Sequence, residues 1–123
     1  MKQFLLVFIG GGFGSVMRYL LSRLLNSPET GIPYGTFAAN VLGSLFIGII
    51  LGLAARNEML STNQTLLLAT GFCGGFTTFS TFAYENHALL KAGDMLSFSI
   101  YTIISFTLAI FAVWFGSWLV KFF

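Results

Sequence analysis

A chain of 123 residues that is 56% hydrophobic and only 8% charged is too apolar for a soluble domain, where charged residues make up roughly 25%. Its net charge of +2 is too small and too scattered to hold nucleic acid. One cysteine excludes an internal disulfide, and one histidine with four carboxylates gives neither a nucleophile–base pair nor the ligand cluster an enzyme would need.

The few charges leave long apolar stretches of roughly the 20 residues that cross a bilayer core. Spans are predicted at about residues 4–25, 33–55, 62–84 and 95–120, which makes residues 1–123 a single four-helix transmembrane domain. Connections remain around Asn26–Gly31, Arg56–Ser61 and Asn86–Asp94. The expected class is therefore all-α integral membrane, with any function housed within the bilayer.

Met1-Lys-Gln followed by Phe4–Ile9 resembles the start of a signal peptide, but no small-residue cleavage site closes it, and it reads as a retained first span. Gly10-Gly-Gly-Phe-Gly14 is not a nucleotide loop: G-x-G-x-x-G requires glycine where Ser15 stands, and no strand precedes it. Gly10 and Gly14 instead form a small-xxx-small face for another helix. Arg18, near the far end of the span, is either an interfacial anchor or a positive charge drawing anions into a vestibule.

Asn26–Gly31 is a turn by composition, and Pro33 starts the second span. Gly35, Ala39 and Gly43 recur every fourth residue, and Gly48 and Gly52 continue the small-residue pattern. Asn40 lies about 10 Å along this helix. Its amide must be bonded, either as interhelical glue or as a donor to a wet vestibule. Thr36 shares its face one turn earlier.

Ser61-Thr-Asn-Gln64 is a good cap for the third span. Its centre, Gly71-Phe-Cys-Gly-Gly-Phe-Thr-Thr-Phe-Ser-Thr-Phe82, mixes three glycines, four hydroxyls and four phenylalanines. Gly and Thr are weak helix formers and the hydroxyls compete for backbone groups, so the third helix is expected to be broken mid-membrane. Such a break is tolerated only where its freed groups are buried, wet or bound to an ion. Carbonyls freed at Gly74–Thr77 would suit a cation. Phe79 and Phe82, three apart, would present positive ring edges to an anion, beside the hydroxyls of Ser80 and Thr81. Cys73 reads as a small packing residue, and His87 as interfacial. Glu29, Glu58, Glu85 and Asp94 are all placed at connections, which argues against proton coupling through a deep carboxylate.

The fourth span carries Tyr101 and Ser105 four apart on one face, and Trp114 and Trp118 suit an aromatic belt. With four spans, Lys2, Arg56 and Lys121 fall on one side and Arg18, Arg23 and Lys91 on the other. That balance leaves no preferred orientation and predicts an antiparallel, dual-topology homodimer.

The Gly71–Phe82 stretch, Gly35-Thr-Phe-Ala-Ala-Asn-Val-Leu-Gly-Ser44 and the Gly10–Arg18 segment together resemble the Fluc (CrcB) family of microbial fluoride channels, over essentially the whole chain. The resemblance implies an antiparallel homodimer with two pores in a bacterial inner or plasma membrane, exporting fluoride passively and conferring fluoride resistance. It implies that Phe79 and Phe82 line the pores, with Asn40 donating at a vestibule. A central sodium would be held by the carbonyls of Gly74 and Thr77 from both subunits. Ser80, Thr81, Tyr101 and Ser105 would supply hydroxyls along a polar track, with Glu85 near its end and Arg18 at the end of the first helix, and Thr36 on the Asn40 face is counted with the pore residues. The alternatives are a small proton-coupled exporter and a non-transporting membrane assembly subunit.

Overall fold

A computed structural model of the chain describes residues 1–29, 31–56 and 59–123. Among the described residues, four helical runs are long and apolar enough to cross a membrane: Lys2–Leu25, Tyr34–Ala55, Thr62–Lys91 and Met95–Phe122. The first two are the single helices α1 (Lys2–Leu25) and α2 (Tyr34–Ala55). The third is a composite. It begins as α3 (Thr62–Thr65), widens into a π-helical segment over Leu66–Cys73 and tightens again as α4 (Gly74–Phe76). Beyond two residues with extended backbone it continues as α5 (Phe79–Lys91). Helix α6 (Met95–Leu119) ends in a 3₁₀ turn, Val120–Phe122.

The helix ends follow from local chemistry. Ser61 caps α3 in a reciprocal box: its hydroxyl accepts from the Gln64 amide at 3.2 Å, and the Gln64 side chain accepts from the Ser61 amide at 2.8 Å. Helix α5 stops at Gly93, whose φ of +75° closes the last turn, with Gly93 N–H on Leu90 and Asp94 N–H on Leu89, each at 3.0 Å. Asp94 then caps α6 by accepting from the Ser97 amide at 3.1 Å. Bonds from the Ser97 hydroxyl and amide hold the Asp94 carboxyl below its ordinary range.

The third span is longer at its far end than the sequence suggests. Asn86–Lys91 is helical, so the connection expected over Asn86–Asp94 is only Ala92–Asp94. Glu85 consequently lies inside a spanning segment rather than at a connection. Glu58, expected at the preceding connection, lies outside the described residues.

Small residues set the packing, since lipid gives helices no hydrophobic reason to associate and backbone proximity must supply the contact. Helix α1 lies against the π-helical segment and α4. A Cβ on Gly10 would strike the Leu67 carbonyl and Phe72 amide, and one on Gly14 the Phe72 carbonyl and Phe76 amide. Helix α2 runs along α6, where Gly48 faces the Val113 carbonyl and Gly116 the Leu45 carbonyl. Phe82, Leu89 and Tyr101 form a small buried cluster where α5 meets α6. Large apolar side chains such as Phe4, Phe8, Ile110 and Trp114 are exposed, as a bilayer solvent permits.

Candidate functional site

The site begins at Thr77 (φ −85°, ψ 156°) and Thr78 (φ −151°, ψ 121°), which connect α4 to α5. In an unbroken helix the Thr78 amide would bond the Gly74 carbonyl, but it donates to Asn40 Oδ1 at 2.7 Å. Asn40 Nδ2 in turn donates to the Thr78 carbonyl at 3.0 Å. The amide of α2 thus pairs with both backbone groups of one extended residue, as a neighbouring strand would. This is the interhelical reading of Asn40, made to a specific backbone residue. Among the described residues the other Nδ2 hydrogen has no acceptor.

The Thr81 amide likewise does not serve the Thr77 carbonyl, because it donates to the Thr78 hydroxyl that caps α5, at 3.1 Å. The carbonyls of Gly74 and Thr77 are therefore both released from helical partners, and both residues line the same cavity. The Gly75 carbonyl meets a different fate. It accepts from Arg18 Nε at 3.1 Å and from the Ser15 hydroxyl at 3.4 Å. Arg18 is therefore half-buried and braces the end of α4, complementing the negative end of that helical run.

The cavity beside Thr77 and Thr78 has a volume of about 360 Å³ and is walled by α2, the third span and α6. Phe79 and Phe82 both line it, with ring centroids 5.9 Å apart, but they are unequal. Phe79 is 71% exposed and Phe82 8%. Phe82 stands edge-on to Phe106 at 5.7 Å and 89° and is tilted against Tyr101 at 5.1 Å. Ser105 also lines the cavity, and its buried hydroxyl has no hydrogen-bond partner among the described residues. Buried polar groups without partners are rare.

One turn beyond Phe82, α5 presents Glu85. Its Oε1 accepts from the Thr36 hydroxyl at 2.5 Å and its Oε2 from the Tyr101 hydroxyl at 2.8 Å. Thr36 and Tyr101 are 0% and 2% exposed, so one carboxylate draws α2, α5 and α6 together. Glu85 also lines a second cavity of about 400 Å³, with Asn26, Tyr84 and Pro33 on its walls.

The structure thus brings together Asn40, Phe79, Phe82 and Ser105 around one cavity, and Thr36, Glu85 and Tyr101 in one network. It leaves Ser80 exposed, 3.4 Å from the Thr78 hydroxyl, and gives Thr81 a capping role through its backbone. Sequence reasoning missed the Arg18–Gly75 bond, a bond from Thr102 to the buried Asn86 at 3.2 Å, and the contact of Asn26 with Thr36. The first two join residues on different helices and the third joins the residue that follows α1 to α2, and only the Gly-rich face of α1 hinted at how closely its backbone approaches the third span.

Four apolar spans with a line of amide, aromatic, hydroxyl and carboxylate groups between them define a small multi-pass membrane protein with a polar interior lining. A family model described as CrcB-like protein, Camphor Resistance (CrcB), matches residues 5–117, and the chain belongs to that family. A relative from Gloeothece citriformis, named fluoride-specific ion channel FluC, is 49% identical over 123 residues, 98% of each chain. Relatives of the same name from Phocaeicola vulgatus and Chlorobaculum tepidum are 47% and 52% identical, over 97% and 82% of this chain and 98% and 80% of theirs. The kinship is with ion channels and not with enzymes.

Proposed function

We propose that the protein is a fluoride-selective channel that lets fluoride leave the cell passively, and that two antiparallel copies form it around two pores. The observation that carries this reading is the cavity beside the third span where the Asn40 amide, the Phe79 and Phe82 rings and the Ser105 hydroxyl, which has no partner among the described residues, come together. Hydroxyl and amide donors replace the water of a small anion while ring walls exclude larger ones. The near full-length kinship with proteins named fluoride-specific ion channels supports the choice of ion.

The break in the third helix is part of the same reading. Its positive end, at the start of α5, faces the phenylalanine-lined cavity and favours negative charge. The released carbonyls of Gly74 and Thr77 are hard oxygen donors of the kind a sodium ion takes, and Gly74 is exposed on the single chain, open to a second copy. Two such pairs, one from each copy, would hold sodium on the two-fold axis. Bound there, the ion would tie the copies together and offset repulsion between anions.

The test is fluoride release from liposomes. Phe82→Ile and Phe79→Ile are each expected to slow release at least tenfold with the dimer intact, and unchanged rates in both would remove the rings from the path. One observation favours a second reading, proton-coupled export, because Glu85 is a carboxylate inside a spanning segment. That reading requires release without any countercharge pathway.

A further inference from the structure

Asn26 is not among the residues assigned above to the pathway, yet it touches the network at the Glu85 end. It terminates α1, its backbone amide bonding the Ser22 carbonyl at 2.9 Å. Helix α2 starts at Pro33 without a side-chain cap of its own. Asn26 Oδ1 supplies one from nine residues away, accepting from the Gly35 amide at 2.6 Å. The Gly35 amide can only donate, so the carboxamide oxygen must face it and the NH₂ must face the other way. There it meets the Thr36 hydroxyl at 3.5 Å.

The direction of the bonds matters. Thr36 has one hydroxyl hydrogen, and it goes to Glu85 Oε1. A long contact from the Asn26 amide to that oxygen favours the hydrogen's pointing to the carboxylate, because chained hydrogen bonds polarise one another. The sequence runs Asn26 N–H to Thr36 O–H to the Glu85 carboxylate, and Tyr101 holds the other oxygen. Asn26 and Glu85 both line the 400 Å³ cavity beside the network.

We propose that Asn26 is a positioning residue for the pathway end: its amide seats the start of α2 and, through the Thr36 hydroxyl, aims the Glu85 carboxylate. This rests on the channel reading above.

Two roles are separable by substitution. Asn26→Asp keeps an acceptor for the Gly35 amide, and Asp caps helices as well as Asn, but its carboxylate cannot donate to Thr36. Asn26→Ala loses both contacts. The purified full-length protein and its variants are reconstituted in potassium-loaded liposomes with a potassium ionophore, and fluoride release is followed by electrode beside thermal unfolding in detergent. Asn26→Asp is expected to unfold like the unaltered protein while releasing fluoride about fivefold more slowly, the equivalent of one lost neutral hydrogen bond. Asn26→Ala is expected to lose both stability and rate. In a Thr36→Val background, Asn26→Ala is expected to slow release by less than it does in the unaltered protein, because the relay is already cut and only the seating of α2 is left to lose; this arm decides the matter even if Asn26→Asp fails to assemble. An unaltered rate in Asn26→Asp, or an undiminished further loss in the Thr36→Val background, overturns the proposal and leaves the channel reading standing. Absence of fluoride release from the unaltered protein overturns the channel reading itself, and this inference with it.

Discussion

Asn40 and Phe82 show how much of the site rests on single side chains. The two bonds from Asn40 satisfy a backbone N–H and C=O that the extended Thr78 would otherwise leave unpaired. Each unsatisfied buried group costs about 1–3 kcal/mol, so Asn40→Ala is expected to lower unfolding stability in detergent by ~2 kcal/mol or more and to abolish fluoride release. Asn40→Asp restores the acceptor alone and should recover part of the stability. Phe82, wedged between Tyr101 and Phe106, should lose about 3–5 kcal/mol on truncation to alanine, whereas the exposed Phe79 should lose little. Equal costs at the two positions, measured by denaturant titration, would contradict this asymmetry. The depth of Asn40 was readable from its distance along α2. Its partner was not, because the bond closes across 38 residues and depends on how α2 meets the third span.

The elements are held by glycines at backbone contacts and by caps at their ends. Replacing Gly10 or Gly14 with leucine places a side chain against carbonyls and amides of the third span that cannot rotate away. Both variants are expected to yield no folded protein by size-exclusion chromatography, whereas leucine at Gly12, where nothing lies within 4 Å, should be tolerated. At the other end, the depressed Asp94 carboxyl stabilises α6 when ionised. Its contribution is full above the ordinary carboxylate range and is lost as pH falls through the lower folded value. Acid unfolding of Asp94→Asn, which keeps a neutral cap, should accordingly be less steep. These periodicities were legible: the four spans, the Ser61 cap and the packing faces all follow from spacing and residue type. The end of the third span was not, because Glu85, Asn86 and His87 mark a charge boundary but not a helix stop. The helix-forming run through Leu90 and Lys91 carries α5 onward until Gly93 allows a left-handed turn. The partner of Arg18 was not legible either, because its bond to the Gly75 carbonyl closes across 57 residues.

At the scale of the whole molecule, the proposed assembly follows from a chain whose Lys and Arg are balanced three against three across the spans. Adding two arginines to the Asn26–Gly31 turn should force one orientation and abolish activity when that variant is expressed alone; full activity from it would contradict an antiparallel pair. If sodium bridges the copies, exchanging it for a bulky organic cation should lower the thermal midpoint and dissociate the dimer. Selective passage of fluoride is tested by efflux from liposomes holding the purified protein, with fluoride and chloride electrodes read in parallel. Rapid fluoride release that requires a potassium ionophore, with chloride retained, is the expected result. Fluoride release that proceeds equally without the ionophore, or chloride release at a comparable rate, would contradict it.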